Sequence, residues 1–144
     1  MKARKTLIRL HKWQADEKRK QLHELLALRD DLLCKAAALD ASVLHEQTVV
    51  NTSRGGEADT GFAYATFAKH AIRQRENIQK SVASIENRIS EAEILVTEAY
   101  KALKRHEVAA ASQAKRELGE ANRKEQIAED DQTLQTHARS RTAG

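Results

Sequence analysis

Apolar side chains recur at alternating steps of three and four residues through two long stretches of this chain. In the first stretch the steps fall on Ile8, His11, Ala15, Lys18, Leu22, Leu25, Arg29, Leu32, Ala36, Leu39 and Val43, and eight of these eleven are apolar. In the second they fall on Ala71, Arg75, Ile78, Val82, Ile85, Ile89, Ala92, Val96, Ala99 and Leu103, with eight apolar positions in succession from Ile78 onward. A 3.5-residue period held this long predicts helices that pair along a coiled-coil seam. Between the stretches, Asn51-Thr52-Ser53-Arg54-Gly55-Gly56-Glu57-Ala58-Asp59-Thr60-Gly61 is the vocabulary of a turn, with Asp59 or Thr60 suited to cap the following helix.

The predicted fold is all-α: two long helices forming an antiparallel coiled-coil hairpin with an overhanging C-terminal arm. Residues 1–50 form the first helix, 51–61 the loop, 62–107 the paired part of the second helix, and 108–144 an overhang with a frayed tail. Folding the chain at residue 56 pairs positions whose numbers sum to about 112, so Leu39 faces the region of Arg73 and Ile8 that of Lys104. The paired part is then a rod about 68 Å long at 1.5 Å per residue. Beyond it the seam drifts through Ala110, Ala114, Leu118 and Ala121, and Gly119 weakens the helix.

Composition agrees with the pattern. The 144 residues include no proline and 24 alanines, so the worst helix former is absent and the best is abundant. Aromatic residues make up 3% and charged residues 32%, which excludes the thick cores of sandwiches, barrels and doubly wound sheets. The single cysteine, Cys34, cannot form an internal disulfide, and a reducing, cytoplasmic setting follows as the default. The longest run without a formally charged side chain is nine residues, Thr60 to Ala68, far short of the roughly 20 apolar residues of a transmembrane span. Arg9, His11 and Lys12 interrupt any secretory h-region after the basic start.

Charge separates the two ends of the sequence. The first 20 residues carry eight Lys or Arg against Asp16 and Glu17, a net of +6, whereas the remaining 124, with 17 basic and 19 acidic side chains, net −2. That cluster is either an ordinary solvated helix face or a surface for an acidic partner, phosphate backbone or anionic membrane. Catalytic signatures are missing: there is no Gly-rich phosphate loop, no His-Glu-x-x-His and no Cys-x-x-Cys. The six histidines, His11, His23, His45, His70, His106 and His137, never stand four apart as a metal pair would, and His11 reads as a polar interruption of the seam. Two helices offer no concave site to tune an acid or a nucleophile, so no enzymatic role, metal or cofactor is expected.

Three of the five aromatics, Phe62, Tyr64 and Phe67, gather just after the turn. One reading has Phe62 and Phe67 plug the end of the hairpin against Leu44 and Val49; the other makes the rings a docking patch. Trp13, off the seam and beside the basic cluster, is a second candidate anchor.

With a proline-free hairpin of this size and Tyr64-x-x-Phe67 opening its second helix, the chain resembles the bacterial flagellar export protein FliJ family. Length, loop position and the run from Arg123-Lys124-Glu125-Gln126 to Arg139 extend the resemblance over essentially the whole chain. Asp130-Asp131 is followed by Gln132-Thr133, where the family often places small or apolar residues. The resemblance implies a non-enzymatic stalk of type III protein export, cytoplasmic and peripherally associated with the inner-membrane export apparatus. It would insert into the export ATPase hexamer and promote its assembly, contact the membrane protein of the export gate, and escort export chaperones. Under this reading Arg4, Arg9, Lys12, Trp13, Leu118 and Ile127 meet the ATPase ring, and Tyr64 and Phe67 meet the gate. No nucleic acid is expected as a partner. The rival classes are a basic coiled-coil nucleic-acid-binding protein, for which no aromatic platform interleaves the basic residues, and a dimerising scaffold.

Overall fold

The computed structural model describes residues 2–52 and 58–142. All of them are α-helical, in α1, Lys2–Thr52, and α2, Ala58–Thr142. Serine and threonine do not break these helices because their hydroxyls donate back to carbonyls one turn earlier. Thr6 donates to Lys2, Ser42 to Ala38, Thr48 to Leu44, Thr97 to Glu93 and Thr136 to Gln132, at 2.8–3.0 Å. The helices invade the predicted loop from both sides. Thr52 ends α1 with its hydroxyl on the Thr48 carbonyl, and α2 already includes Asp59, Thr60 and Gly61, which places the two expected caps inside its first turn. The rest of that loop, Ser53 to Glu57, lies outside the described residues.

The two long helices pack against each other, and the chain divides into two compact units: a terminal one, Met1–Lys12 with Tyr100–Gly144, and a central one, Trp13–Ala99. In the central unit Asp40 meets Arg75 at 3.3 Å, and Leu39 shares one groove with Asn77 and Ile78 and another with Ala71 and Ile72. In the terminal unit the rings of His11 and His106 stack with centroids 4.3 Å apart, and Ile8 shares a groove with Ala110 and Ala114. In both units α2 numbers rise as α1 numbers fall, so the segments run in opposite directions. Corresponding seam positions sum to about 117, one heptad beyond the seam-matched register nearest the loop-centred sum of 112. Ile8 therefore meets the region of Ala110 rather than Lys104. A heptad slip keeps every apolar seam position on the seam; what the observed register adds is a partner for two of the polar ones, with His11 against His106 and Arg75 against Asp40.

Burial follows the seam closely. All eleven stepped positions of α1 are buried or half-buried, and of the ten in α2 only Arg75 is exposed. The core consists of Ala15, Ala71, Ile85, Ile89 and Ala92 in the central unit and Leu103 in the terminal one. Isoleucines withdrawn this far from water contribute about 2 kcal/mol each. No large side chain is fully buried among the described residues, because two helices cannot enclose one on every side. From Ala114 to Thr142, by contrast, every residue of α2 is exposed while the helix continues unbroken.

Candidate protein-interaction site

The central unit presents its aromatic residues unequally. Tyr64, Phe67, Ala68 and Ala71 follow each other at helical spacing, and the first three are half-buried while Ala71 is buried. Tyr64 lines an open groove of about 400 Å³ with Val43, Leu44 and Gln47 of α1 and Ile72 of α2. Phe62 points away from this row and is 77% exposed, and Leu44 and Val49 are exposed too, so Phe62 does not plug the helix end against them. The reason is angular: Phe62 lies two residues from Tyr64, about 200° around the helix. The apolar groove carries one ion pair, Asp40 with Arg75, on side chains about half-exposed, which makes it a weak contributor to stability.

In the terminal unit the basic residues do not form a single patch. Arg4 is half-buried and lines two grooves, whereas Arg9 and Lys12 are exposed. Arg4 and Arg9 are five residues apart, about 140° around the helix, which sends their side chains to different faces. Leu118 and Ile127 are 64% and 52% exposed, but nine residues separate them, about half a turn, and they face opposite ways. Trp13, the first residue of the central unit, is 61% exposed. Within the terminal unit these residues thus lie on several helix faces rather than gathered on one.

The terminal unit has a site that periodicity did not reveal. An open groove of about 930 Å³ runs between Lys2, Ala3, Arg4 and Leu7 of α1 and Ala102, Arg105, His106, Ala109 and Gln113 of α2. Its floor is alanine and leucine, its charged rim is cationic, and no carboxylate lines it. Small side chains at Ala102 and Ala109, two turns apart, leave room for a third helix to approach. No family model, curated protein or solved structure matches the chain. The surfaces themselves therefore carry the functional argument. They are open grooves on paired helices, with aliphatic floors and charged edges.

Metal-binding and membrane-spanning geometry have no counterpart among the described residues. No three His, Cys, Asp or Glu side chains converge, and no helix is long and apolar enough to cross a membrane. Sequence reasoning missed the histidine stack because the loop-centred register set His11 away from His106. It also missed Arg29, whose half-buried side chain stands on the seam with its Nε out of contact with water and without a hydrogen-bond partner, 4.0 Å from Asp30. Requiring polar seam positions to pair with each other would have found the histidines.

Proposed function

We propose that this chain is a non-enzymatic component of flagellar type III protein export, acting as an antiparallel coiled-coil hairpin with an overhanging C-terminal arm. In this role it binds the hexameric export ATPase and promotes its assembly, and it couples the ring to the export gate and to substrate chaperones. It works in the cytoplasm, peripherally associated with the inner membrane. The observation that carries the reading is the contrast within α2: a paired stretch through Leu103, then an unbroken helix from Ala114 to Thr142 with every side chain open to partners. A helix whose faces are all polar or sparsely apolar gains little from its own chain, and a free-standing stretch of this kind fits a segment that is completed by other proteins. The resemblance carried by Tyr64-x-x-Phe67 and by the run from Arg123 to Arg139 supplies the export setting.

Arg4, Arg9, Lys12, Trp13, Leu118 and Ile127 are assigned to the ATPase ring. The dispersion of the terminal-unit members over several helix faces suits helices enclosed by a ring better than helices lying on a flat surface. Tyr64 and Phe67 are assigned to the gate, where the half-buried rings and the adjoining groove would receive an apolar segment. Two assays on purified full-length partners test this division: stimulation of the export ATPase, and capture by the soluble domain of the gate protein. Phe67→Ala is expected to lose gate capture and keep ATPase stimulation, and truncation after Ala110 to do the reverse. Equal loss of both activities in both variants contradicts the division.

A further inference from the structure

Independently of the export role, α2 of the terminal unit carries two heptad-spaced sets of residues of opposite character. Ala102, Ala109 and Arg116 recur at heptad spacing, and so do Glu120, Ile127 and Leu134. Each member of the second set follows a member of the first by 18 residues, five full turns at about 3.6 residues per turn, so all six positions lie on one face of α2. Ala102 and Ala109 of the first set lie in the floor of the cationic groove, and Arg116 stands one heptad beyond it. The second is acidic and aliphatic, and Ile127 and Leu134 are 52% and 66% exposed.

We propose that the groove receives the acidic α2 segment of a second copy of this chain, giving a two-fold dimer through antiparallel α2 helices. When residue numbers across the contact sum to 236, every heptad position finds a complement. Ala102 takes Leu134 of the other copy, Ala109 takes Ile127, Arg116 meets Glu120, and Arg105 meets Asp131. Small side chains receive large ones, each arginine meets a carboxylate, and two-fold symmetry makes every contact twice. Leu7, which floors the groove beside Ala109 and is 38% exposed, would be covered by the incoming Ile127. Charge decides the direction. A parallel arrangement in register sets Arg105 against Arg105 and Asp131 against Asp131, whereas the antiparallel one sets each against its opposite.

Sedimentation equilibrium of the full chain tests the contact, with helicity by circular dichroism confirming that each variant folds. The wild type is expected to dimerise, more tightly at low salt. Ile127→Glu combined with Leu134→Glu should weaken the dimer about 100-fold, since two aliphatic anchors are lost from each half of the contact. Arg105→Asp and Asp131→Arg should each weaken it about fivefold, and combining them should restore it. In a Cys34→Ser background, chains carrying Ala109→Cys should form a disulfide with chains carrying Ile127→Cys on mild oxidation. A chain that stays monomeric at about 100 μM, where even a weak dimer of this size would be populated, overturns the proposal. So does a dimer indifferent to all these substitutions, or preferential cross-linking of Ile127→Cys to itself.

Discussion

The α2 helix contains two stretches of similar composition and opposite circumstance. Between Ala71 and Leu103 its stepped positions face α1 and supply nearly all of the core, while between Ala114 and Thr142 no residue is even half-buried. Both stretches are rich in alanine and in mixed charge, so helix propensity does not distinguish them. The difference is the density of large aliphatic residues on one face. Ile78, Val82, Ile85, Ile89 and Val96 make a continuous stripe, whereas Leu118 faces away from Ile127 and Leu134, and the three are too few to hold a neighbour from the same chain. The first stretch holds the two helices together, and the second is helical with every side chain exposed.

Substitutions in the two stretches should therefore differ most where the same change is made in each. Ile89→Ala is expected to destabilise by about 3 kcal/mol in urea titration, through lost burial and an unfilled seam. At a dilution that keeps the chain monomeric, Ile127→Ala should change global stability by less than about 0.5 kcal/mol, because it removes a solvent-facing side chain. A comparable loss for both would remove the distinction.

Next in size are two changes that should stabilise. Gly119 lies within α2, and a β-carbon there would meet nothing within 4 Å, so Gly119→Ala should favour the helix by about 1 kcal/mol. Hydrogen exchange should register this as slower exchange around residue 119, with no shift in the urea midpoint of the paired stretch. Arg29→Leu replaces a seam nitrogen that makes no hydrogen bond and only a 4.0 Å contact with Asp30, and a gain of up to about 1 kcal/mol in urea is expected. A loss there would mean that the arginine stem packs better than leucine can.

Smaller effects probe the register. A double-mutant cycle with His11→Ala and His106→Ala should return a coupling of about 0.5–1 kcal/mol from the stacked rings. The cycle for Asp40→Asn and Arg75→Gln should return about 0.3 kcal/mol and fade with salt, since both side chains are about half-exposed. Zero coupling in both cycles would argue for a register other than the one summing to about 117.

Periodicity alone located the helices and their inward faces, because a 3.5-residue repeat constrains every position of the repeat at once. Its power ended at properties a heptad slip leaves unchanged. Leu39 stays on the seam whichever heptad of α2 it meets, which leaves the loop centre to set the register, and the loop centre is a poor guide when both helices extend into the loop. Turn-forming residues such as Asn51 and Gly61 predict a break between the helices. In the structure cooperative hydrogen bonding carries the helices through them, and a single helical glycine costs only about 1 kcal/mol. The basic cluster was visible as charge along the sequence, but the groove it rims depends on which alanines of α2 lie beside Ala3 and Leu7. Only the register decides that.

The central claim is that the paired stretch holds the fold and the exposed stretch of α2 meets other proteins. Hydrogen exchange of the full chain, alone at high dilution and then with the export ATPase, tests it most directly. The account predicts fast exchange from Ala114 to Thr142 in the free chain and strong protection of that stretch on binding, with little change between Ala71 and Ala99. Protection gained only in the paired stretch, or none anywhere at saturating ATPase, would contradict it.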